Sequence, residues 1–360
     1  MDATARAVLD ALGGTDTANL VRAPGRVNLI GDHTDYNAGF CLPMAIDRHC
    51  VVGVCRTGDG GVRARSLDID GLVQWTGSPP PTVEPAWGRF VAAAARRSPV
   101  DGVELTVAST VPVGAGLSSS AALCVALVLA LDVARDPSAV AEAARAVEVE
   151  ASGVPVGLMD QLASVFGRAD AALLLDCRHR SVEPVPVPDT ARVGVVDSGL
   201  PRALATSAYA ERRAACEAAA RRLGLAALRD ARPDQVGDDP VARHVVSENA
   251  RVLEAAAAMR AGDSARLGQL FVASHQSLRD DFAVSTPELD LLVELLLEEG
   301  ALGARLTGAG FGGCVVALTP AGDEAGVLER AANRYASRTG RVPSAFPVRA
   351  AAGAGPASLS

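Results

Sequence analysis

A chain of 360 residues, 49% of them hydrophobic, is long for one core and predicts two domains with a substantial interior. Its net charge of −8 argues against a general nucleic-acid partner. Every basic side chain is Arg; without a single Lys, a phosphate loop of the G-x-x-x-x-G-K-[ST] type and the strand lysine of protein kinases are excluded.

In chain order, Met1–Leu12 has helical spacing with Ala7, Val8 and Leu12 on one side. Leu20–Gly31 reads as a strand broken by Pro24-Gly25, a bend that delivers Arg26. Asp32-His33-Thr34-Asp35-Tyr36-Asn37 is a dense polar cluster between apolar runs. Leu42–Ile46 and Cys50–Cys55 suggest paired strands, Pro79-Pro80-Pro81 a loop, Trp87–Arg96 a helix and Val103–Ser109 a strand. The stretch Val111–Ala122 then holds Gly114, Gly116 and Ser118-Ser119-Ser120 and opens an apolar helix over Ala121–Ala134. Ser138–Ser152 is a second helix, carrying Glu148 and Glu150. Gly153–Gly157 bends into another helix start at Asp160, and Ala171–Leu175 is a strand.

Recurrent prolines at 184, 186 and 188 predict a boundary near residue 185. Beyond it, Val193–Val196 is a short strand, and Thr206–Leu223, Asp239–Met259, Asp263–Asp280 and Pro287–Glu299 are helical. Ala301–Thr307 and Cys314–Leu318 are strands around the Gly-rich loop Gly308–Gly313, either a plain hairpin connection or a partial match to the G-x-G-x-x-G pattern. Ala351–Ser360 reads as a disordered tail. The seven cysteines are scattered and lack metal-ligand spacing, which predicts reduced thiols in a cytoplasmic protein. No signal peptide is expected, and Ser118–Ser120 leave the apolar run that follows too short for a membrane span.

Three segments carry chemistry. The Gly–Ser loop before a helix describes a phosphate cradle: glycines bend close to a ligand, and backbone N–H groups at a helix N-terminus favour an anion. A flexible loop before a Ser-capped helix would read the same. The 32–37 cluster suits turns, yet its carboxylates also suit a polyhydroxylated ligand, since one carboxylate accepts from two hydroxyls. Asp160, at the start of a helix, reads on its own as an N-cap.

Taken together, Arg22–Pro43, Val111–Ala122, Gly157–Gln161, Tyr209 with Arg212-Arg213, His244–Asn249, Ser274–Asp281 with Pro287-Glu288-Leu289, and Gly303–Val316 resemble the GHMP small-molecule kinases, and within them the galactokinase family. The resemblance runs over nearly the whole chain. It implies an α+β, two-domain fold: a mixed-sheet N-terminal domain over 1–185, a ferredoxin-like C-terminal domain over 186–350, and an active site in the cleft between them. The implied reaction is ATP-dependent phosphorylation of the anomeric hydroxyl of galactose. Asp160 matches the catalytic acid and Arg26 the residue beside it. Ser120 and Glu148 match ligands of Mg²⁺, which prefers hard oxygen donors. Gly114, Ala115, Gly116, Leu117, Ser118, Ser119 and Ser120 would wrap ATP, with Ser66 a further nucleotide contact. Asp32, His33, Thr34, Asp35, Gly157 and Tyr209 match the sugar contacts, and Gly308–Gly313 would approach from the second domain. Asp32 stands where the family usually has Glu, so its contact with a sugar hydroxyl is expected to be lost or water-mediated. The implied partners are galactose and Mg-ATP, with no nucleic acid or membrane, for a monomer. A kinase of this family acting on another sugar or a cyclitol, and a silent sugar sensor, are the competing readings.

Overall fold

A computed structural model describes residues 2–14, 18–98, 102–200 and 205–357, the side chains of 205–207 excepted. Helix α1 (Ala3–Ala11) is capped by the Asp2 side chain and buries Ala5 and Val8. Ala7, expected on that face, is exposed; residues 5, 8 and 12 share the inner face, and position 7 lies about 100° round the helix from Val8. Met1 lies outside the described residues.

The first half is built on a six-stranded sheet. Strands β1 (Asn19–Asn28), β3 (Pro43–Arg56), β4 (Gly61–Ser66), β5 (Leu72–Thr76), β6 (Val103–Ser109) and β13 (Gly355–Pro356) run in the order β13-β1-β3-β6-β4-β5. The β4–β6 pair is parallel and the others antiparallel, so the sheet is mixed. The two strands expected over 42–46 and 50–55 are halves of one, β3, and both pair with β1. Pro24 opposes His49 and Arg26 opposes Ala45, so Ile46, Asp47 and Arg48 of β3 bulge opposite the single Gly25 of β1, which is where the sequence breaks the strand in two. Gly25 is required there, because a Cβ would press on the Leu117 carbonyl and Val111.

Helices α2 (Gly88–Ala95), α3 (Ser119–Ala130), α4 (Pro137–Ser152) and α5 (Met159–Phe166) cover this sheet. α3 is apolar on nearly all sides and lies between β1 and β3 on one face and α2 and α4 on the other. A small sheet pairs β2 (Phe40–Cys41), β7 (Ala171–Asp176) and β8 (Ser181–Pro186).

The second half has an antiparallel sheet, β10-β11-β9-β12, from β9 (Ala191–Asp197), β10 (Gly303–Leu306), β11 (Cys314–Pro320) and β12 (Ser344–Val348). Around it stand α6 (Ala205–Arg222), α7 (Pro240–Ala261), α8 (Ser264–Asp280), α9 (Pro287–Glu298) and α10 (Glu324–Thr339). This is the ferredoxin-like layer expected. The halves meet through one apolar cluster in which Val27, Leu29 and Leu42 join Val193, Val195, Phe271 and Val316.

The stretch expected as a disordered tail is otherwise as far as Ala357. Ala351 N–H donates to Ala45 O, Gly353 N–H to Gly167 O and Ala354 N–H to Ser164 O, and β13 closes the edge of β1. Its small residues, which read as flexible, are what lets the backbone lie this close: a Cβ on Gly353 would strike the Val165 carbonyl. Residues 358–360 lie outside the described ones. All seven cysteines are free thiols. Among the described residues no helix is long and apolar enough to cross a membrane.

Candidate active site

A cavity of about 390 Å³ opens where the Gly–Ser loop, the N-terminus of α5, the turn after β1 and the β10–β11 hairpin converge. Its walls include Arg26, Asp32, His33, Asp35, Gly114, Gly116, Ser118, Ser119, Ser120, Glu148, Gly157, Asp160, Tyr209, Gly308 and Ala309. Both halves of the chain therefore contribute. A larger cavity, about 780 Å³, is walled mainly by apolar groups such as Val21, Val54, Leu129 and Pro356 and holds none of the predicted site residues.

Arg26, just past the register shift opposite the bulge in β3, lines the first cavity. Its Nε and one terminal nitrogen each donate to a different oxygen of Asp160, both at 2.8 Å, and the other donates to Gly116 O at 2.7 Å. Such a fork is charge-assisted and geometrically fixed. Asp160 stands in the first turn of α5, not at its N-cap, which is Leu158. The capping alternative therefore falls, and the helix dipole favours its negative charge. Ser118 also donates to Asp160 Oδ2, at 2.5 Å. It occupies the N-cap position of α3 but caps nothing, and its backbone is left-handed at φ 61°. Strain of this kind persists only where surrounding structure enforces it. The first N–H groups of α3 thus remain unoccupied by a Ser118 side-chain cap.

Ser120 Oγ donates to Glu148 Oε1 at 2.6 Å, and Gln161 Nε2 to Glu148 Oε2 at 2.5 Å. Burial, with the nearby Asp160 charge, pushes the Glu148 carboxyl up to about 7. No group of three or more His, Cys, Asp or Glu among the described residues could hold a metal alone. A serine and a carboxylate fit Mg²⁺, which is usually held by one or two protein oxygens with phosphates and water. Four carboxylates and one guanidinium line the cavity. A surplus of carboxylates over guanidinium opposes an anion unless protons or a cation offset it.

After β1 the chain turns sharply. Thr34 Oγ1 bridges the Gly31 and Phe40 carbonyls, so it holds the turn and does not face the cavity. His33 is left-handed at φ 65° and anchored by Asn37 Nδ2 donating to its carbonyl. Its Nδ1 lies 2.8 Å from Tyr36 Oη, while its buried Nε2 has no hydrogen bond of normal geometry. Burial, with His244 nearby, lowers the ring's pKa to about 3 against a pull from the Ala309 backbone, so the imidazole is neutral near pH 7. Asp35 is pushed up to about 6 by burial and by Asp160 and Asp32. It lies against Gly157, where a Cβ would overlap its carboxylate. Tyr209 is held well above the usual phenol range by burial and by Asp35 and Asp160, so it stays a donor. Asp32 lines the cavity, yet Asn28 Nδ2, Gly308 N and Arg305 already donate to its carboxylate.

Some predicted residues stand apart. Ala115 and Leu117 pack into the core and anchor the loop on either side of half-buried Gly116. Ser66 is not a wall of the cavity; its Oγ accepts from the Asp68 and Ile69 N–H groups. Sequence reasoning missed Asn28 and Arg305. The available signal was a lone Arg inside the otherwise small and apolar strand Gly303–Leu306, a pattern that requires a buried partner.

Three family models match: the galactokinase galactose-binding signature over residues 10–56, the GHMP kinases N terminal domain over 86–168 and the GHMP kinases C terminal over 255–337. The chain is 44% identical to the galactokinase of Roseiflexus sp. (strain RS-1), covering 93% of this chain and 92% of that one. It is 39% identical to the galactokinase of Actinobacillus pleuropneumoniae serotype 5b, covering 91% and 92%. Its structure matches Lactococcus lactis galactokinase complexed with galactose at TM-score 0.88 and 29% identity, with 98% of each chain covered. Mevalonate kinase from Methanococcus jannaschii, at 18% identity and TM-score 0.71 over 93% and 99%, shares the fold. With identity at this level along almost its full length, and both GHMP domains matched around one cavity, the chain belongs to the galactokinase family of GHMP kinases.

Proposed function

We propose that this chain transfers the γ-phosphate of ATP to the anomeric hydroxyl of α-D-galactose, giving galactose 1-phosphate and ADP. The observation that carries the reading is the bidentate Arg26–Asp160 pair in the cavity that also holds Ser120 and Glu148. Phosphoryl transfer asks mainly for positioning and charge neutralisation. Asp160 orients the sugar hydroxyl and takes its proton as the oxygen attacks phosphorus and the bond to ADP breaks. Of the carboxylate's roughly four acceptor sites, Arg26 and Ser118 occupy three, leaving one on Oδ1 for the hydroxyl. Arg26 holds that carboxylate in register and stabilises charge on the moving group.

Gly114–Ser120 wraps the phosphates with backbone N–H groups at the start of α3. Ser120 and Glu148 would hold Mg²⁺, which supplies neutralisation of the phosphate charge when bound. Asp35, His33 Nε2, the Gly157 backbone and Tyr209 take the sugar hydroxyls. Residues 1–185 and 186–350 form the two domains around this cleft. A monomer is part of this reading, and the scattered cysteines without metal-ligand spacing fit a reducing, cytoplasmic setting.

The test is ATP-dependent phosphorylation across a panel of sugars, with the Asp160→Asn variant in parallel. Galactose is expected to be the preferred acceptor. In Asp160→Asn, kcat is expected to fall about 10²–10⁴-fold with a smaller change in galactose affinity. Near-normal kcat in the folded variant would remove Asp160 from the mechanism, and absence of galactose turnover in the wild type would remove the reading.

A further inference from the structure

We infer that Asp32 and Arg305 form a buried clamp that positions the sugar-binding turn, and that Asp32 holds this turn without reading any hydroxyl of the sugar. The inference rests on the functional reading above. Arg305 is fully buried on β10. Its Nε donates to Ser274 Oγ at 3.1 Å. One terminal nitrogen donates to the carbonyls of Asn28 and Leu29 at 3.2 and 3.1 Å, and the other donates to Asp32 Oδ2 at 2.5 Å. The planar fork thus ties the second half of the molecule to the end of β1, where Asn28, Asp32 and His33 follow one another.

Other bonds share the load. Thr307 Oγ1 donates to Asn28 O at 2.9 Å, and Gly308 N–H to Asp32 Oδ1 at 3.2 Å. Asn28 Nδ2 donates to the same oxygen at 2.9 Å. Three donors therefore take three of the carboxylate's roughly four acceptor sites, and with the residue 2% exposed, against 28% for the Asp160 side chain, the fourth has little room to meet a ligand. Turning it toward a ligand would leave a buried guanidinium unpaired, which a protein interior does not tolerate. The next residues differ. His33 Nε2 has no hydrogen bond of normal geometry, and Asp35 keeps capacity to accept. The clamp fixes the backbone from which these two reach the cavity. A lysine could not replace Arg305, because a single ammonium cannot span Ser274, two carbonyls and a carboxylate in one plane.

The experiment compares the wild type with Asp32→Asn, Arg305→Met, Arg305→Lys and the double variant Asp32→Asn/Arg305→Met. For each, KM for galactose and for ATP is measured, with kcat/KM for 2-, 3-, 4- and 6-deoxygalactose relative to galactose. The single variants are expected to raise galactose KM about tenfold or more with ATP KM nearly unchanged. In Asp32→Asn the ranking of the deoxy sugars should stay as in the wild type. The double variant should recover part of the loss seen in Arg305→Met, because neither partner is then left charged and alone. A selective change at one deoxy position in Asp32→Asn would show that Asp32 reads that hydroxyl and would overturn the inference. So would independent, additive effects of the two sites. Denaturant unfolding of the same set supplies a second readout. If the wild type does not turn over galactose, the functional reading fails, and coupling between the two sites in unfolding still decides the clamp. If Arg305→Met does not fold, the cycle is run with the neutral Arg305→Gln.

Discussion

The cavity holds Asp35 charged at a cost in stability. Its carboxyl titrates at about 6 in the folded chain against an ordinary value of 3.8, because burial and the Asp160 and Asp32 charges oppose ionisation. The folded state therefore binds the extra proton between those values. Asp35's contribution to stability is fully present below about pH 3.8 and is lost as pH rises through about 6. Two pKa units correspond to about 3 kcal/mol. Asp35→Asn is accordingly expected to be more stable than the wild type at pH 8, with the gain shrinking toward pH 4, while galactose affinity falls sharply. Denaturant midpoints at the two pH values, with galactose titrations, check both halves; equal pH dependence in variant and wild type would dismiss the assignment. Glu148 carries a separate expectation. Removing its charge in Glu148→Gln should raise the Mg²⁺ concentration needed for half-maximal activity and weaken binding of Mn²⁺ with ATP, leaving galactose binding in place. Unmoved metal dependence would make Glu148 an ordinary buried acid.

Elements deliver these side chains by contacts too close for a side chain to intervene. Gly268 on α8 and Gly303 on β10 touch backbone to backbone, and a Cβ on either would collide with Leu302 or Gly268 main-chain atoms. Gly268→Ala is expected to cost about 1–3 kcal/mol by forcing helix and strand apart. Because Arg305 lies two residues after Gly303, galactose KM should rise as well; calorimetry and steady-state kinetics would show whether the two effects travel together. Much at this scale was legible beforehand. Helices α6 to α9, the β10–β11 hairpin and the Gly–Ser loop before α3 follow from local spacing, whereas α10 was not anticipated, and Arg26, Ser120, Glu148 and Asp160 do share one cavity. What was not legible is long-range. The continuity of β3 depends on which residues of β1 oppose it. Whether Ser118 caps its helix or reaches Asp160 depends on α5, 42 residues on. Arg305 finds Asp32 across 273 residues, a partnership that no periodicity of either segment encodes.

The whole molecule is held by an apolar cluster shared between its halves, so the cleft is walled by two sheets that cannot part without exposing Leu29, Phe271 and Val316. One cooperative unfolding transition is expected from such sharing, shifted upward by galactose and by Mg-ATP through mass action. The chain's last described residues bind the same unit. Residues 351–357 return from the second half to the first, where Ala351, Gly353, Ala354 and Ala357 donate to Ala45, Gly167, Ser164 and Leu20 carbonyls and β13 covers the outer edge of β1. Arg26 and Asn28 hang from that strand, and Ser164 and Gly167 lie in and just after the helix that carries Asp160. A chain ending at residue 350 would leave β1 an open edge and uncover backbone groups beside the strand that carries Arg26 and the helix that carries Asp160. It is expected to melt several degrees lower and to lose kcat more than ATP affinity, since the Arg26–Asp160 register depends on β1 and α5 staying in place. Thermal melts and kinetics of the truncated chain test this. An unchanged melting temperature with full activity would mean that the returning segment is a surface decoration, and that the apolar cluster alone keeps Arg26 and Asp160 in line.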